Sequence, residues 1–82
     1  MRPSAVNVYA RWDEEAKVWH AHSNDVAGLA IEAATVEELG KRLLELVPEL
    51  IGINHPDWLK SAEDMPVHVM AEMSSRIPLG HA

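Results

Sequence analysis

Two histidines, His20 and His22, stand two apart in the run VWHAHSNDVAGLAIEA, residues 18–33. That spacing puts both side chains on one face of a strand. Glu32 lies ten residues beyond His22 and joins them if the next strand returns alongside. Two imidazoles and one carboxylate are a genuine ligand set for zinc and its neighbours. The same pair would suit a metal-dependent hydrolase. The plainer alternative is the wet side of an antiparallel sheet, touched by water or a partner. No second group that would orient either ring is visible in the sequence, and His55, His68 and His81 are scattered without ligand spacing. The expectation is therefore no bound metal and no cofactor, with His20, His22 and Glu32 as the ligand candidates if there were one.

Other chemistries fare worse. Two-metal nuclease chemistry needs several converging carboxylates. Asp13, Glu14 and Glu15 sit together in a polar stretch between strands, Glu37 and Glu38 at a helix start, and no acid stands mid-strand in residues 6–12. No glycine-rich phosphate loop and no Ser/His/Asp arrangement is present. The chain is expected not to be an enzyme.

The elements that must hold these residues can be read from periodicity. VNVYARW, residues 6–12, alternates, with Val6, Val8, Ala10 and Trp12 on one side and Asn7, Tyr9 and Arg11 on the other. Residues 18–23 give a second strand after a polar turn, so the two make a hairpin. Pairing Asp13 with Val18 sets Trp12 against Trp19, Ala10 against Ala21 and Val8 against Ser23. It also sets Arg11 against His20 and Tyr9 against His22. Slipping by one would mix apolar and polar residues on both faces, so the first register is preferred. A turn relaxed by Gly28 leads to a third strand at 29–34, with Leu29, Ile31 and Ala33 toward the core and Glu32 outward.

TVEE, residues 35–38, is a capping box, with Thr35 as cap and Glu38 reaching back. The helix it opens, about 36–51, carries Val36, Leu39, Leu43, Leu46, Val47 and Leu50 as an apolar stripe. Leu44 and Ile51 flank that stripe and are the candidate oligomer contacts, against the plainer reading of a helix edge under a loop. Pro48 should kink or restart the helix. A loop with a short helical turn from Pro56 brings Trp58 back to the core. A fourth strand at 66–73 places Val67, Val69, Ala71 and Met73 on one face, and the tail at 74–82 has too little pattern to place. The expected fold class is α+β, a βββαβ two-layer sandwich in a single domain over 1–82, with sheet order 3-2-1-4.

Composition narrows the function. The 82 residues carry a formal net charge of −6, which disfavours contact with a phosphate backbone and favours a basic protein partner. Cysteine is absent, so neither disulfides nor thiolates staple the fold, and an apolar run long enough for a leader or a membrane span is lacking. A cytoplasmic protein that does not touch the membrane is expected. A domain this small has a thin stability margin, and homodimerisation is expected.

The run VYARWDEEAKVWHAHSNDVAGLAIEAATVEELGKRLLELVPELI resembles the HicB-like antitoxin family. It is most similar to a short subgroup patterned WDEEAxVWxAxSxDxxGLxxEAxTxEEL…LxPEL. The matching residues run from Trp12 to Ala16, through Val18, Trp19, Ala21, Ser23, Asp25, Gly28, Leu29, Glu32 and Ala33, to Thr35–Leu39 and Pro48–Leu50. They cover roughly half the chain, and Ala27 stands where the pattern commonly has proline. The resemblance implies a partial ribonuclease-H-like sandwich and an antitoxin that occludes the active site of a small basic mRNA-cleaving toxin of the HicA type. Longer relatives add a DNA-binding module; this chain ends soon after the fourth strand, so repression is not expected to carry over. The expected contact patch is Tyr9, Arg11, His20, His22 and Glu32. The alternatives are a self-associating regulatory or scaffold domain without a toxin, and a hydrolase built on the histidine pair.

Overall fold

The computed structural model describes residues 2–60 and 64–80; His81 and the last residue of the 74–82 tail lie outside the described residues. The elements in chain order are β1 (Val6–Asp13), β2 (Val18–His22), β3 (Ala30–Ala33), α1 (Val36–Asn54), a 3-10 turn (Pro56–Lys60) and β4 (Val67–Glu72). Among the described residues they form a four-stranded mixed sheet in the order β3-β2-β1-β4 with one α-helix, as the sequence pattern predicts. The register of β1 on β2 is the one that segregates the side chains: Tyr9 pairs with His22, Ala10 with Ala21, Arg11 with His20, Trp12 with Trp19 and Asp13 with Val18. β4 runs parallel to β1, with Val6 opposite Val67 and Arg11 opposite Glu72.

The hairpin loop is fixed by its first residue. Asp13 accepts hydrogen bonds through Oδ1 from the N–H groups of Glu15 (3.0 Å) and Ala16 (3.1 Å). The Lys17 N–H then closes onto the Asp13 carbonyl at 2.8 Å, with Lys17 itself in the left-handed region at φ 59°. At the other end of the hairpin β2 stops at His22, so the expected Val8–Ser23 pair does not form. Side chains replace it. Ser23 donates its hydroxyl to the Asn7 carbonyl at 2.7 Å, and the Asn7 N–H donates to Asp25 at 2.7 Å. Both backbone groups of Asn7 are thereby satisfied without further strand.

β3 starts one residue later than expected, yet Leu29 is still buried, because Gly28 takes φ 84° and turns the chain inward. The loop is tied to the far end of α1. Asn54 donates to the Ala27 carbonyl at 3.0 Å, and the Ala27 N–H donates to His55 Nε2 at 3.1 Å. A proline at 27 would have no N–H for that bond. His55 in turn stacks on Trp58 with ring centroids 4.0 Å apart.

α1 begins as the capping box requires, Thr35 accepting from the Glu38 N–H at 3.0 Å. It continues to Asn54, past the expected end, and passes through Pro48 without a break. The residue whose carbonyl loses its donor to Pro48 is Leu44, on the exposed side of the helix where water reaches it. Ile51, expected at the outer edge as an oligomer contact, is instead buried with Leu39, Leu43 and Val47. Continuing the helix through Pro48 keeps it in phase with Val47 and Leu43, so it enters the core. Leu44 is 74% exposed, as its flanking position predicts.

The core lies between the inner face of the sheet and α1, and every fully buried residue among those described is apolar. Val26 joins it from the turn and Trp58 from the 3-10 turn. Trp12 is only half-buried; it packs against Trp19 at 5.5 Å and donates its indole N–H to Glu14. β4 is shorter than expected, and Ala71 and Met73 lie exposed.

Candidate functional site

Strand pleating sends alternate side chains to the opposite face of the sheet, and among the described residues no helix packs over it. Its residues follow from the register. β1 contributes Asn7, Tyr9 and Arg11, β2 contributes His20 and His22, β3 contributes Glu32, and β4 contributes His68, Met70 and Glu72. All the side chains in the expected contact patch are exposed and share this face.

Three contacts organise it. His20 is held between two carboxylates, with Nδ1 3.4 Å from Glu32 and Nε2 3.2 Å from Asp13. His22 turns the other way and packs on Tyr9, ring centroids 5.8 Å apart and tilted by 34°. Arg11 faces Glu72 of β4 at 3.7 Å. The structure thus brings His20 and Glu32 together but sends His22 to a different neighbour. Among the described residues, no three His, Asp or Glu side chains are grouped so as to hold a metal ion. His55 serves the loop clamp and His68 stands on the outer face beside Asn7.

The electrostatics are those of a solvated surface. The Asp13 carboxyl is held below the ordinary carboxylate range, first by the Ala16 N–H and then by His20. Glu14 is lowered by its contact with the Lys17 ammonium and by the Trp12 indole N–H. Every ion pair on the face is exposed, so each contributes little to stability and remains free to be exchanged for a partner's groups.

Tyr9, Arg11, His22, Met70 and Glu72 line a shallow open depression, and His20, His22, Ile31 and Glu32 line a second beside it. Neither is an enclosed cavity of the kind that excludes water from a reaction. Tyr, Arg and Met are residue types enriched at protein contacts, and Tyr9, Arg11 and Met70 stand exposed on this open face.

Asp13, Met70 and Glu72 are additions to the contact patch expected from sequence. Asp13 could be found from the register alone, since it lies diagonally beside His20 on the same face. Met70 and Glu72 required the parallel alignment of β4 on β1, which no turn chemistry specifies.

The chain matches the family described as a domain of unknown function, DUF1902, over residues 5–79. It is similar to the crystal structure of a hypothetical protein, TTHA1013, from the extremely thermophilic bacterium Thermus thermophilus. The two share 43% identity over 92% of this chain and 99% of that one, with a TM-score of 0.65. No curated protein matches.

Proposed function

This chain belongs to the DUF1902 family, and from that premise we propose that it is a non-catalytic binding protein of the HicB-like antitoxin type. It neutralises a small basic mRNA-cleaving toxin in the cytoplasm by covering the toxin's active site. The observation that carries this reading is the uncovered sheet face. There Tyr9, Arg11, His20, His22 and Glu32 lie in register, exposed, around shallow depressions rather than a closed pocket. A net charge of −6 draws in a basic partner. The exposed carboxylates of Glu32 and Glu72 offer acceptors to its Lys and Arg side chains, while Tyr9 and Met70 provide the apolar anchor. The ordered resemblance from Trp12 to Leu50 adds the antitoxin assignment itself.

The test is co-expression with a basic, histidine-containing protein encoded beside this chain's gene. Co-purification and rescue of cell growth are expected. Equal killing with and without this chain would sink the reading. No helix among the described residues is long and apolar enough to cross a membrane. A second reading, self-association without a toxin, is favoured by apolar side chains left exposed near β4, among them Leu44, Met73, Ile77 and Leu79.

A further inference from the structure

The turn between β2 and β3 is tied to the far end of α1 by two consecutive residues, which together satisfy both backbone groups of Ala27. Asn54 donates to the Ala27 carbonyl at 3.0 Å, and His55 Nε2 accepts the Ala27 N–H at 3.1 Å. The turn fits closely against the helix: a Cβ added at Gly28 would meet Leu50 at 3.5 Å and Asn54 at 3.6 Å. On either side of the clamp Val26 and Leu29 are buried in the core. The two bonds of the clamp differ in kind. The Asn54 amide does not titrate, whereas the His55 ring does. A backbone N–H can only donate, so this contact makes Nε2 the acceptor and puts the proton of the neutral ring on Nδ1. An imidazolium carries protons on both nitrogens and has no lone pair left to accept with.

We propose that His55 is a pH-sensitive latch, whose protonation releases Ala27 and opens the turn at 24–28 while the rest of the fold stands. The release is local because of how the ring is otherwise held. His55 caps α1 by donating its own N–H to the Ile51 carbonyl at 2.8 Å, and its carbonyl accepts the Trp58 N–H at 3.0 Å. The ring stacks on Trp58 with 15° between the planes. None of these contacts uses the Nε2 lone pair. Two of them favour a cation: the C-terminal end of a helix carries partial negative charge, and the face of an indole attracts positive charge. α1 has no basic residue in its last turn to supply that charge. The charged residues on the elements that meet at the ring are Asp25 in the β2–β3 turn and Asp57 and Lys60 in the 3-10 turn. Asp25 already accepts the Asn7 N–H at 2.7 Å. Among the described residues none of these three forms an ion pair with His55. Protonation therefore removes one bond, the one to Ala27, and leaves the stack and the cap in place. The turn then hangs on Asn54 alone, next to buried Val26 and directly before β3. The latch lies away from the outer-face contact proposed above and does not depend on it.

Amide hydrogen exchange of the full chain, read by NMR between about pH 8 and about pH 5.5, tests the latch in the range where histidine changes charge. Each rate is divided by its unstructured value at the same pH. Protection of the Ala27 amide is expected to fall about fivefold on acidification, the worth of one hydrogen bond, and to return when the pH is raised. Protection of Leu43, buried in α1, is expected to hold. His55→Phe keeps a ring for Trp58 but offers no acceptor, and Ala27 is expected to be weakly protected at both ends of the range. His55→Gln offers an acceptor that does not titrate, and its Ala27 protection is expected to be the same at both ends. A parent chain whose Ala27 protection does not change with pH would overturn the proposal, whatever the variants do. So would a fall that Leu43 shares, which is unfolding of the whole chain. An equal fall in His55→Gln, which places the titration elsewhere, or full protection in His55→Phe would overturn it as well.

Discussion

Successive residues of β1 live in opposite worlds. Val6, Val8 and Ala10 are at most 1% exposed, while Tyr9 and Arg11 between and beyond them are open to solvent. The inner face is chemically uniform: its buried members are apolar, no buried polar side chain lacks a partner among the described residues, and its work is cohesion. The outer face holds nearly all the chemical variety of the sheet and little of its stability. Substitutions should therefore separate cleanly into those that unfold the chain and those that only remove binding.

The sharpest way to break that division is from the inside. Leu39 is fully buried in the first turn of α1, and Leu39→Ala is expected to cost about 2–5 kcal/mol, measured by urea denaturation. Its partner binding should fall only as far as the folded fraction falls. Thr35→Ala, which removes the acceptor for the Glu38 N–H, is expected to cost about 1 kcal/mol with no change in the outer face.

On the outer face the expected stability effects are smaller. Tyr9→Ser and His20→Ser should each stay within about 0.5 kcal/mol of the parent chain in the same denaturation experiment. Asp13 and Glu14 have depressed pKa values in the folded state. Their contribution is present above the ordinary carboxylate range and is lost as pH falls through the lowered values, because the unfolded chain takes up protons first. A denaturation series across the acid range should show that loss, and Asp13→Asn should flatten it. The change will be slight, since Glu14 is exposed and Asp13 is still partly open to solvent.

Much of this was legible in the sequence. The hairpin register follows from one constraint, that Trp12, Ala10, Trp19 and Ala21 share a face while Arg11, Tyr9, His20 and His22 share the other, and the structure pairs them in that way. The helix start follows from TVEE, because the cap is a local hydrogen bond between neighbours in the chain. What escaped depended on distant contacts. Ile51 enters the core because α1 survives Pro48, and it survives because the carbonyl left without a donor belongs to exposed Leu44. Val26 is buried from a turn with no periodicity to reveal it, and His55 finds its purpose only when the Ala27 loop closes on the end of α1. On the candidate face the histidines, Tyr9, Arg11 and Glu32 were found by alternation. Their division into a carboxylate-held His20 and a tyrosine-packed His22 depends on side-chain geometry that spacing does not encode.

The central claim is that the outer sheet face is where a basic protein binds. Its most direct measurement is co-purification of a basic, histidine-containing protein encoded beside this gene with the parent chain and with a Tyr9→Ser/His20→Ser chain, both checked for equal folded stability. A partner retained by the parent and at least tenfold depleted with the double variant is the predicted result. Equal retention by both chains would contradict it.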